Sequence, residues 1–242
     1  MIRHFKNLLC LVVPLLLAGC EGILDGIYDD PQPIVAREGQ IVVDASDWGT
    51  WDYIDFNCPD SIPSHPIPTT LTGESDGKSG QYLYWFDVWG EGIRKNEFRE
   101  FKPCDAQCDP EEWSIAVHRN NVRTNSGEVL ETSFSSMDEL PETSEPFRNM
   151  RFTPDEWSEN EVWDSQEQML LCLIPSQGIN VNKVLSSWLT MDIPPMPPAF
   201  SHNPHVFILR LKDGTYAALQ LSNYVSPSGV KCYLTINYKY PY

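Results

Sequence analysis

The stretch HVFILRLKDGTYAALQLSNY, His205–Tyr224, places two apolar segments on either side of the dipeptide Asp213-Gly214. Because glycine adopts positive φ without steric cost, an Asp-Gly dipeptide between apolar runs is a strong signal for a tight hairpin. The chain turns again at Ser226–Gly229, and Val230–Tyr240 then alternates apolar and polar residues with the period of two that a half-buried strand has. These segments predict an antiparallel meander of three strands.

Shorter strand patterns lie upstream of this meander. Gln40–Ala45, Thr50–Phe56 and Trp113–His118 are rich in β-branched and aromatic residues, which favour strands. One helix is predicted at Asn180–Trp188, because four of its apolar residues follow helical spacing. The 20 prolines favour β-structure over helix elsewhere. We therefore predict an all-β fold, mostly antiparallel, with one short helix.

Two stretches are predicted to be irregular. Residues 128–165 are acidic and show no apolar periodicity. Met191–Pro198 reads MDIPPMPP, and proline has no N–H to donate and a fixed φ. The second stretch therefore suits neither a regular helix nor a central strand.

The N-terminus has the order of a secretory signal: the basic residues Arg3 and Lys6, an apolar run at Leu8–Leu17, and Leu-Ala-Gly-Cys at residues 17–20. The apolar run is shorter than the roughly 20 residues that a membrane-spanning helix needs. Its ending resembles the lipobox of bacterial lipoproteins. That resemblance implies cleavage just before Cys20 and attachment of acyl chains such as palmitate to this cysteine.

The predicted cleavage divides the chain into three parts. Residues 1–19 are the signal peptide, residues 20–39 a lipidated N-terminus with a flexible acidic tether, and residues 40–242 a single β domain. The formal net charge of −17 becomes −19 once the two basic residues of the signal are removed. So acidic a surface argues against nucleic acid as a partner, because phosphates require lysine and arginine. It also disfavours broad contact with anionic lipid, which leaves the lipid anchor as the predicted membrane contact.

Residue patterns that carry catalysis are missing from the sequence. There is no Gly-x-Ser-x-Gly elbow, no His-Glu-x-x-His helix and no phosphate-binding glycine loop, so we predict that the protein is not an enzyme. Cys104 and Cys108 lie in a loop rich in Pro and Asp, and a disulfide between them is predicted for an exported protein. A metal there would need two further ligands, which no His or Cys pair supplies. Five cysteines follow Cys20, so at least one thiol should stay free or buried.

Four segments together resemble the HmuY family of haem-binding lipoproteins from Bacteroidetes. The resemblance extends over about residues 40–242, in chain order. The segments are Ile41–Tyr53, Trp113–Gly127, Trp188–Phe200 and Val206–Pro241.

The resemblance implies an all-β fold, often likened to a right hand, in which loops clamp haem like a finger and thumb. It implies a haemophore, which takes up haem and passes it to a TonB-dependent outer-membrane receptor. It further implies a lipid-anchored protein of the outer membrane, with the cell surface as the expected side.

The resemblance also implies which residues hold the haem iron, which takes axial donors from His, Met, Cys or Tyr. The type member of the family uses two histidines, and Ile193 stands where one of them would be, so that pair fails in this chain. Other members use two methionines from the same regions, which correspond to Met169 and Met196. Met191 is an alternative partner, and His202, near the same loop, could replace a methionine.

Neighbouring charged and aromatic residues have competing interpretations. Arg119 and Arg123 could reach a haem propionate, but buried structural pairing is the preferred interpretation for both. His118 is interpreted as a structural strand histidine. The competing hypothesis for the whole protein is adhesion or glycan contact on the same fold without haem, through the exposed aromatic residues Trp85, Trp89 and Trp157.

Overall fold

The computed structural model describes residues 32–68, 106–166, 169, 177–192 and 197–242, together with four short strands within residues 69–105. Six strands form its larger sheet. Contacts divide the chain into Met1–Pro33 and Ile34–Tyr242, and all strands belong to the second unit. In chain order they are β1 (Gln40–Asp44), β2 (Thr50–Ile54), β3 (Ser64–Pro66), β4 (Gln81–Tyr82), β5 (Trp85–Asp87), β6 (Gly92–Arg94), β7 (Glu100–Phe101), β8 (Ile115–His118), β9 (Asn121–Thr124), β10 (Glu128–Glu131), β11 (Thr153–Pro154), β12 (Glu156–Val162), β13 (Gln177–Val181), β14 (Leu189–Asp192), β15 (Ala199–His202), β16 (Phe207–Arg210), β17 (Tyr216–Val225) and β18 (Lys231–Lys239).

The predicted C-terminal meander is confirmed as the centre of the larger sheet, whose order is β1-β18-β17-β16-β10-β11 with antiparallel pairing throughout. Gly214 has φ +86, the left-handed conformation that the Asp-Gly hairpin requires. Leu234 and Ile236 of β18 are fully buried, whereas Lys239 is exposed, in line with the alternating pattern. Strand β1 closes one edge by pairing with β18, although the two are far apart in sequence.

A second sheet has the antiparallel order β3-β2-β8-β9. Strands β8 and β9 form a hairpin in which His118 faces Asn121 and Arg119-Asn120 is the two-residue turn. Every residue of β8 and β9 is buried. The remaining strands form four two-stranded sheets: β12-β13, β14-β15, β4-β7 and β5-β6.

Three buried clusters explain why the second sheet is apolar on both faces. One face packs with the larger sheet and the helix segment, where Trp188 and Leu185 are fully buried. The other face, with Trp51 and Tyr53, packs with Val162 of β12 and its partner strand. A sheet covered on both faces buries consecutive residues instead of alternate ones. The third cluster covers the outer face of the larger sheet with Phe147 and other residues of the segment after β10.

The α-helix α1 (Lys183–Ser186) is shorter than the predicted span Asn180–Trp188. The side chain of Asn182 caps it by accepting a hydrogen bond from the Leu185 N–H at 2.9 Å. The two residues before Asn182 belong to β13, because they pair with β12. The apolar spacing is real, since Leu185 and Trp188 are both fully buried, but strand pairing ends the helix early.

The prediction of irregular structure is wrong in part for residues 128–165, whereas the described residues of Met191–Pro198 belong to neither a helix nor a central strand. Residues 128–165 contain β10, β11 and β12, besides two 3-10 turns at Met137–Glu139 and Glu145–Phe147. Strand β10 exists because it pairs with the distant β16, a contact that leaves no local pattern. Met191 and Asp192 end β14, whereas residues 193–196 lie outside the described residues. Within the described part of the chain, no helix is long and apolar enough to span a membrane.

Candidate functional site

A cavity of about 460 Å³ lies where the β14-β15 hairpin meets loops of both sheets. This volume is within the roughly 300–1,000 Å³ that small-molecule sites have. Its walls are mostly apolar. They comprise Ser46 and Trp48 after β1, Arg119 of the β8-β9 turn, Gln166 and Met169, Met191, Pro197, Pro198 and Phe200 of the β14-β15 segment, and Val230 and Lys231 at the start of β18.

Met169, a predicted axial ligand, lines this cavity together with Met191, the predicted alternative. The side chain of Met169 is 4% exposed, and its N–H donates to the carbonyl of Ser165 at 3.4 Å. Although buried, Met169 belongs to none of the three apolar clusters that the described residues form. Met191 is partly exposed and pairs with Phe200 across the hairpin. The fold thus brings two thioethers from separate segments to one cavity.

The other predicted ligand, Met196, lies outside the described residues. Its neighbour in the sequence, Pro197, lines the cavity. The hairpin that carries this loop begins at Leu189, which is fully buried, so its base is fixed in the core.

His202, the predicted replacement ligand, is at the end of β15 and is not among the described residues that line the cavity. Its Nε2 is 2.7 Å from the carbonyl oxygen of Leu221, and its ring lies 5.9 Å from that of Tyr224. A hydrogen bond to a carbonyl requires the proton on Nε2, so this bond does not engage the second ring nitrogen, Nδ1. Tyr224 also stacks on Phe200, which connects His202 to the cavity wall.

Arg119 does not form the buried structural pair that was the preferred interpretation for it. Its side chain is 8% exposed, its Nη1 donates to the carbonyl of Ser46 at 2.5 Å, and its guanidinium lies 3.8 Å over the ring of Trp48. No carboxylate of the described residues forms an ion pair with it, and its Nε has no hydrogen-bond partner. Burial lowers the pKa of Arg119. Arg123, by contrast, follows the expectation, since it pairs with Asp109 and donates to the hydroxyl of Tyr53.

His118 is the buried strand histidine that the sequence predicts. Its Nε2 is 3.0 Å from the carbonyl oxygen of Trp48, which orients that cavity residue, and its ring contacts Trp51 at 5.4 Å between centroids. Burial lowers the pKa of His118 to about 4, so the ring is neutral at pH 7. On the neighbouring strand β2, burial raises the pKa of Asp52 to about 6, against the opposing effect of its hydrogen bond from Ser64.

A second cavity, also of about 460 Å³, has mostly polar walls, unlike the first. Its walls include the Arg123–Asp109 pair, Trp113 and Asp155. Asp155 accepts hydrogen bonds from the Thr124 N–H at 2.7 Å and from its hydroxyl at 2.8 Å. Among the described residues that line it, there is no Met, His, Cys or Tyr, so this cavity has no donor for haem iron.

The other predicted site residues have mixed outcomes. Cys108 is exposed and forms no disulfide with another described residue, and Cys104 lies outside the described residues, so the bridge between them remains a prediction. Cys232 is free and fully buried, as expected for at least one thiol. Cys20 also lies outside the described residues. Of the aromatic residues proposed for adhesion, Trp157 is 60% exposed.

No cluster of three His, Cys, Asp or Glu residues that could hold a metal ion occurs in the part of the chain that the structure describes. The sequence missed two features of the site: that the Arg119 guanidinium stays unpaired, and that Lys231 lines the same cavity. The signal for Arg119 was its position in a two-residue turn, where glycine or asparagine is usual. Lys231 carries no such signal, because the register of β18 decides where it points.

Known proteins resemble this chain over most of its length. Residues 47–238 match the HmuY protein family. A Bacteroides vulgatus structure described as an HmuY-like haem-binding protein is 30% identical, covers 88% of this chain and 99% of its own, and gives a TM-score of 0.59.

Two further structures have the same fold. A Bacteroides fragilis protein described as a lipoprotein is 30% identical over 87% of this chain and 94% of its own, with a TM-score of 0.59. The apo HmuY analogue of Tannerella forsythia is 19% identical over 87% and 97%, with a TM-score of 0.60. No curated protein matches. Since the family match extends over residues 47–238 and a 30% identical HmuY-like structure covers 88% of this chain, the chain belongs to the HmuY family.

Proposed function

We propose that this chain is a lipid-anchored haemophore, which captures haem and passes it to a TonB-dependent outer-membrane receptor. The observation that carries the proposal is the cavity that Met169 and Met191 share. Thioether sulfur is an axial donor for haem iron. The description of the 30% identical B. vulgatus protein as haem-binding supports the same ligand.

The residues of the cavity fit haem by their chemistry. Bound haem supplies an iron that takes an axial donor on each face. Soft thioether donors suit the reduced metal, and the apolar side chains of Trp48 and Phe200 offer contact area to a flat macrocycle. The cavity volume is that of a small-molecule site.

Within this proposal, Met169 and Met196 are the axial ligands and Met191 is the alternative partner. Met169 is held by its backbone hydrogen bond to Ser165 and by burial. Met196 lies in a proline-framed sequence, which has little conformational entropy to lose when a ligand binds. Pro197 at the cavity wall supports this assignment.

The lipid anchor on Cys20 suits a protein that works beside a transporter. Several acyl chains on one cysteine hold far more firmly than a single chain, which binds a membrane only reversibly. Anchoring would keep captured haem close to the receptor. We therefore assign the protein to the outer membrane, on the cell surface, with binding and not catalysis as its role.

Titration of the purified apo-protein with haem, first oxidised and then reduced with dithionite, tests the proposal. We expect the Soret band to shift and sharpen at one equivalent, with the larger change in the reduced state because thioethers prefer the softer metal. Unchanged spectra in both states would refute haem binding altogether.

The double variant Met169→Ala/Met196→Ala tests the ligands separately. It should lose the spectrum of the bound state, and so should Met169→Ala/Met191→Ala, because both variants lack Met169. The single variants Met196→Ala and Met191→Ala identify the partner of Met169, since only loss of the partner should alter the spectrum. Met150→Ala is the matched control, since Met150 is 51% exposed and does not line the cavity. A Soret shift that survives unchanged in both double variants would refute the methionine assignment and leave haem binding intact.

A further inference from the structure

Arg119 occupies a backbone position that a side chain rarely takes. It is the first residue of the two-residue turn between β8 and β9, and its φ is +54. In such turns a first residue with positive φ is normally glycine, because a Cβ disfavours the left-handed region. A non-glycine residue held there points to a function for its side chain.

The hydrogen-bond donors of the Arg119 guanidinium are only partly satisfied. It is 8% exposed, and the hydrogen bond to Ser46 and the contact with Trp48 leave Nε without a partner. Asp44 and Asp47 influence it through space, but neither forms an ion pair with it. Buried guanidinium groups are normally paired, as Arg123 of the same hairpin is with Asp109.

The charge of the cavity is opposite to that of the chain. The formal net charge is −17, yet the described residues that line the cavity include two cations, Arg119 and Lys231, and no acid. The ammonium of Lys231 lies 5.0 Å from the centre of the Tyr224 ring. Two cations and no acid among the described lining residues favour an anion in this cavity.

We propose that Arg119 binds a carboxylate of the ligand, with Lys231 as the second cation, so that the cavity selects tetrapyrroles with free carboxylates. This inference rests on the proposed function and deepens it. A guanidinium presents a planar fork that matches a carboxylate, and the resulting charge-assisted hydrogen bonds are strong in a buried setting. Carboxylate binding would also give the guanidinium a partner of opposite charge, which no described ion pair supplies.

Haem and its dimethyl ester, which lacks both negative charges, are the probes that test this selection. Fluorescence quenching of the tryptophans measures their affinities under the same solvent conditions. The wild-type protein should bind haem more tightly than the ester by about 10- to 100-fold, the range expected for a charge-assisted hydrogen bond. The same comparison with metal-free protoporphyrin and its dimethyl ester removes the iron, and with it any contribution of the methionines.

Arg119→Gly is the decisive variant, because glycine suits the turn and removes the guanidinium. Its apo-protein should melt no lower than the wild type, while its preference for the free acid over the ester should fall to within about twofold. Arg119→Lys should retain an intermediate preference, since it keeps the charge without the fork. Arg148→Gly is the matched control: Arg148 is exposed, lies outside the cavity, and its loss changes the net charge equally.

The outcomes separate the two proposals. If the wild type binds acid and ester equally, or if Arg119→Gly keeps the full preference, carboxylate selection by Arg119 is wrong and the haem proposal stands. If the wild type binds none of the four probes, both proposals are wrong. Should Arg119→Gly fail to fold, the acid-to-ester ratios of the wild type and Arg119→Lys decide the matter alone.

Discussion

Replacing Asp52 by asparagine should make the free energy of unfolding fall as the pH drops from 7 to 5 by about twice as much as in the wild-type protein. The reason is a pair of buried groups on neighbouring strands. Asp52 is 5% exposed on β2 and His118 is 1% exposed on β8. Burial raises the pKa of Asp52 and lowers the pKa of His118. As the pH falls, the two shifts therefore change the free energy of unfolding in opposite directions.

For His118 the pKa falls from 6.5 to about 4 on folding. Below pH 6.5 the unfolded chain therefore binds a proton that the folded protein refuses, and stability is lost as the pH falls. Between pH 7 and pH 5 this linkage removes about 2 kcal/mol.

For Asp52 the pKa rises from 3.8 to about 6 on folding. The folded protein then takes up a proton more readily than the unfolded chain, so stability is gained as the pH falls through 6. Between pH 7 and pH 5 this linkage adds about 1 kcal/mol and offsets much of the loss from His118. Asparagine keeps an oxygen that can accept the hydrogen bond from Ser64 but cannot titrate.

Urea denaturation at pH 7, 6 and 5 measures both effects. Asp52→Asn should be more stable than the wild type at pH 7 and should lose about 2 kcal/mol by pH 5. His118→Gln, whose amide can still donate to Trp48, should show the opposite slope of about 1 kcal/mol. Asp60→Asn, at an exposed position, is the control and should follow the wild type. Equal pH profiles for Asp52→Asn and the wild type would refute the raised pKa of Asp52.

Three further predictions concern single side chains. Trp188→Ala should destabilise the fold by about 3–5 kcal/mol, because Trp188 is fully buried. Trp157→Ala, at a 60% exposed site, should change the free energy of unfolding by less than about 0.5 kcal/mol. Similar urea midpoints for the two variants would contradict the core placement of Trp188. Met169→Leu conserves side-chain volume and should cost less than about 1.5 kcal/mol in the apo-protein, yet alter the spectrum of the haem complex; an unaltered spectrum would identify Met169 as a packing residue. Cys20→Ser should move the protein from the membrane to the soluble fraction of the cell, as cell fractionation and immunoblotting would show, and continued sedimentation with membranes would argue against lipidation at Cys20.

The strands of the C-terminal meander were predictable because the turn chemistry and the alternation of that segment are local. Asp213-Gly214 indicates a hairpin whatever surrounds it, and the apolar positions of β18 define its buried face. Strand β10 was not predictable, since it depends on pairing with β16, some 80 residues further on. The helix was predicted too long for a related reason: β13 takes the residues before Asn182 into a strand.

The sequence alone determined that the chain builds antiparallel sheets, because turn residues and alternation are properties of short segments. Its resemblance to the HmuY family indicated which methionines could serve as soft donors. Only the tertiary structure decided that Met169 and Met191 face one cavity and that Arg119 stands there without a carboxylate. These residues come from three separate segments, and whether a buried charge finds a partner depends on which distant strands pack beside it. Burial against non-local neighbours, a quantity that no short stretch encodes, therefore decided which candidate residues share a cavity.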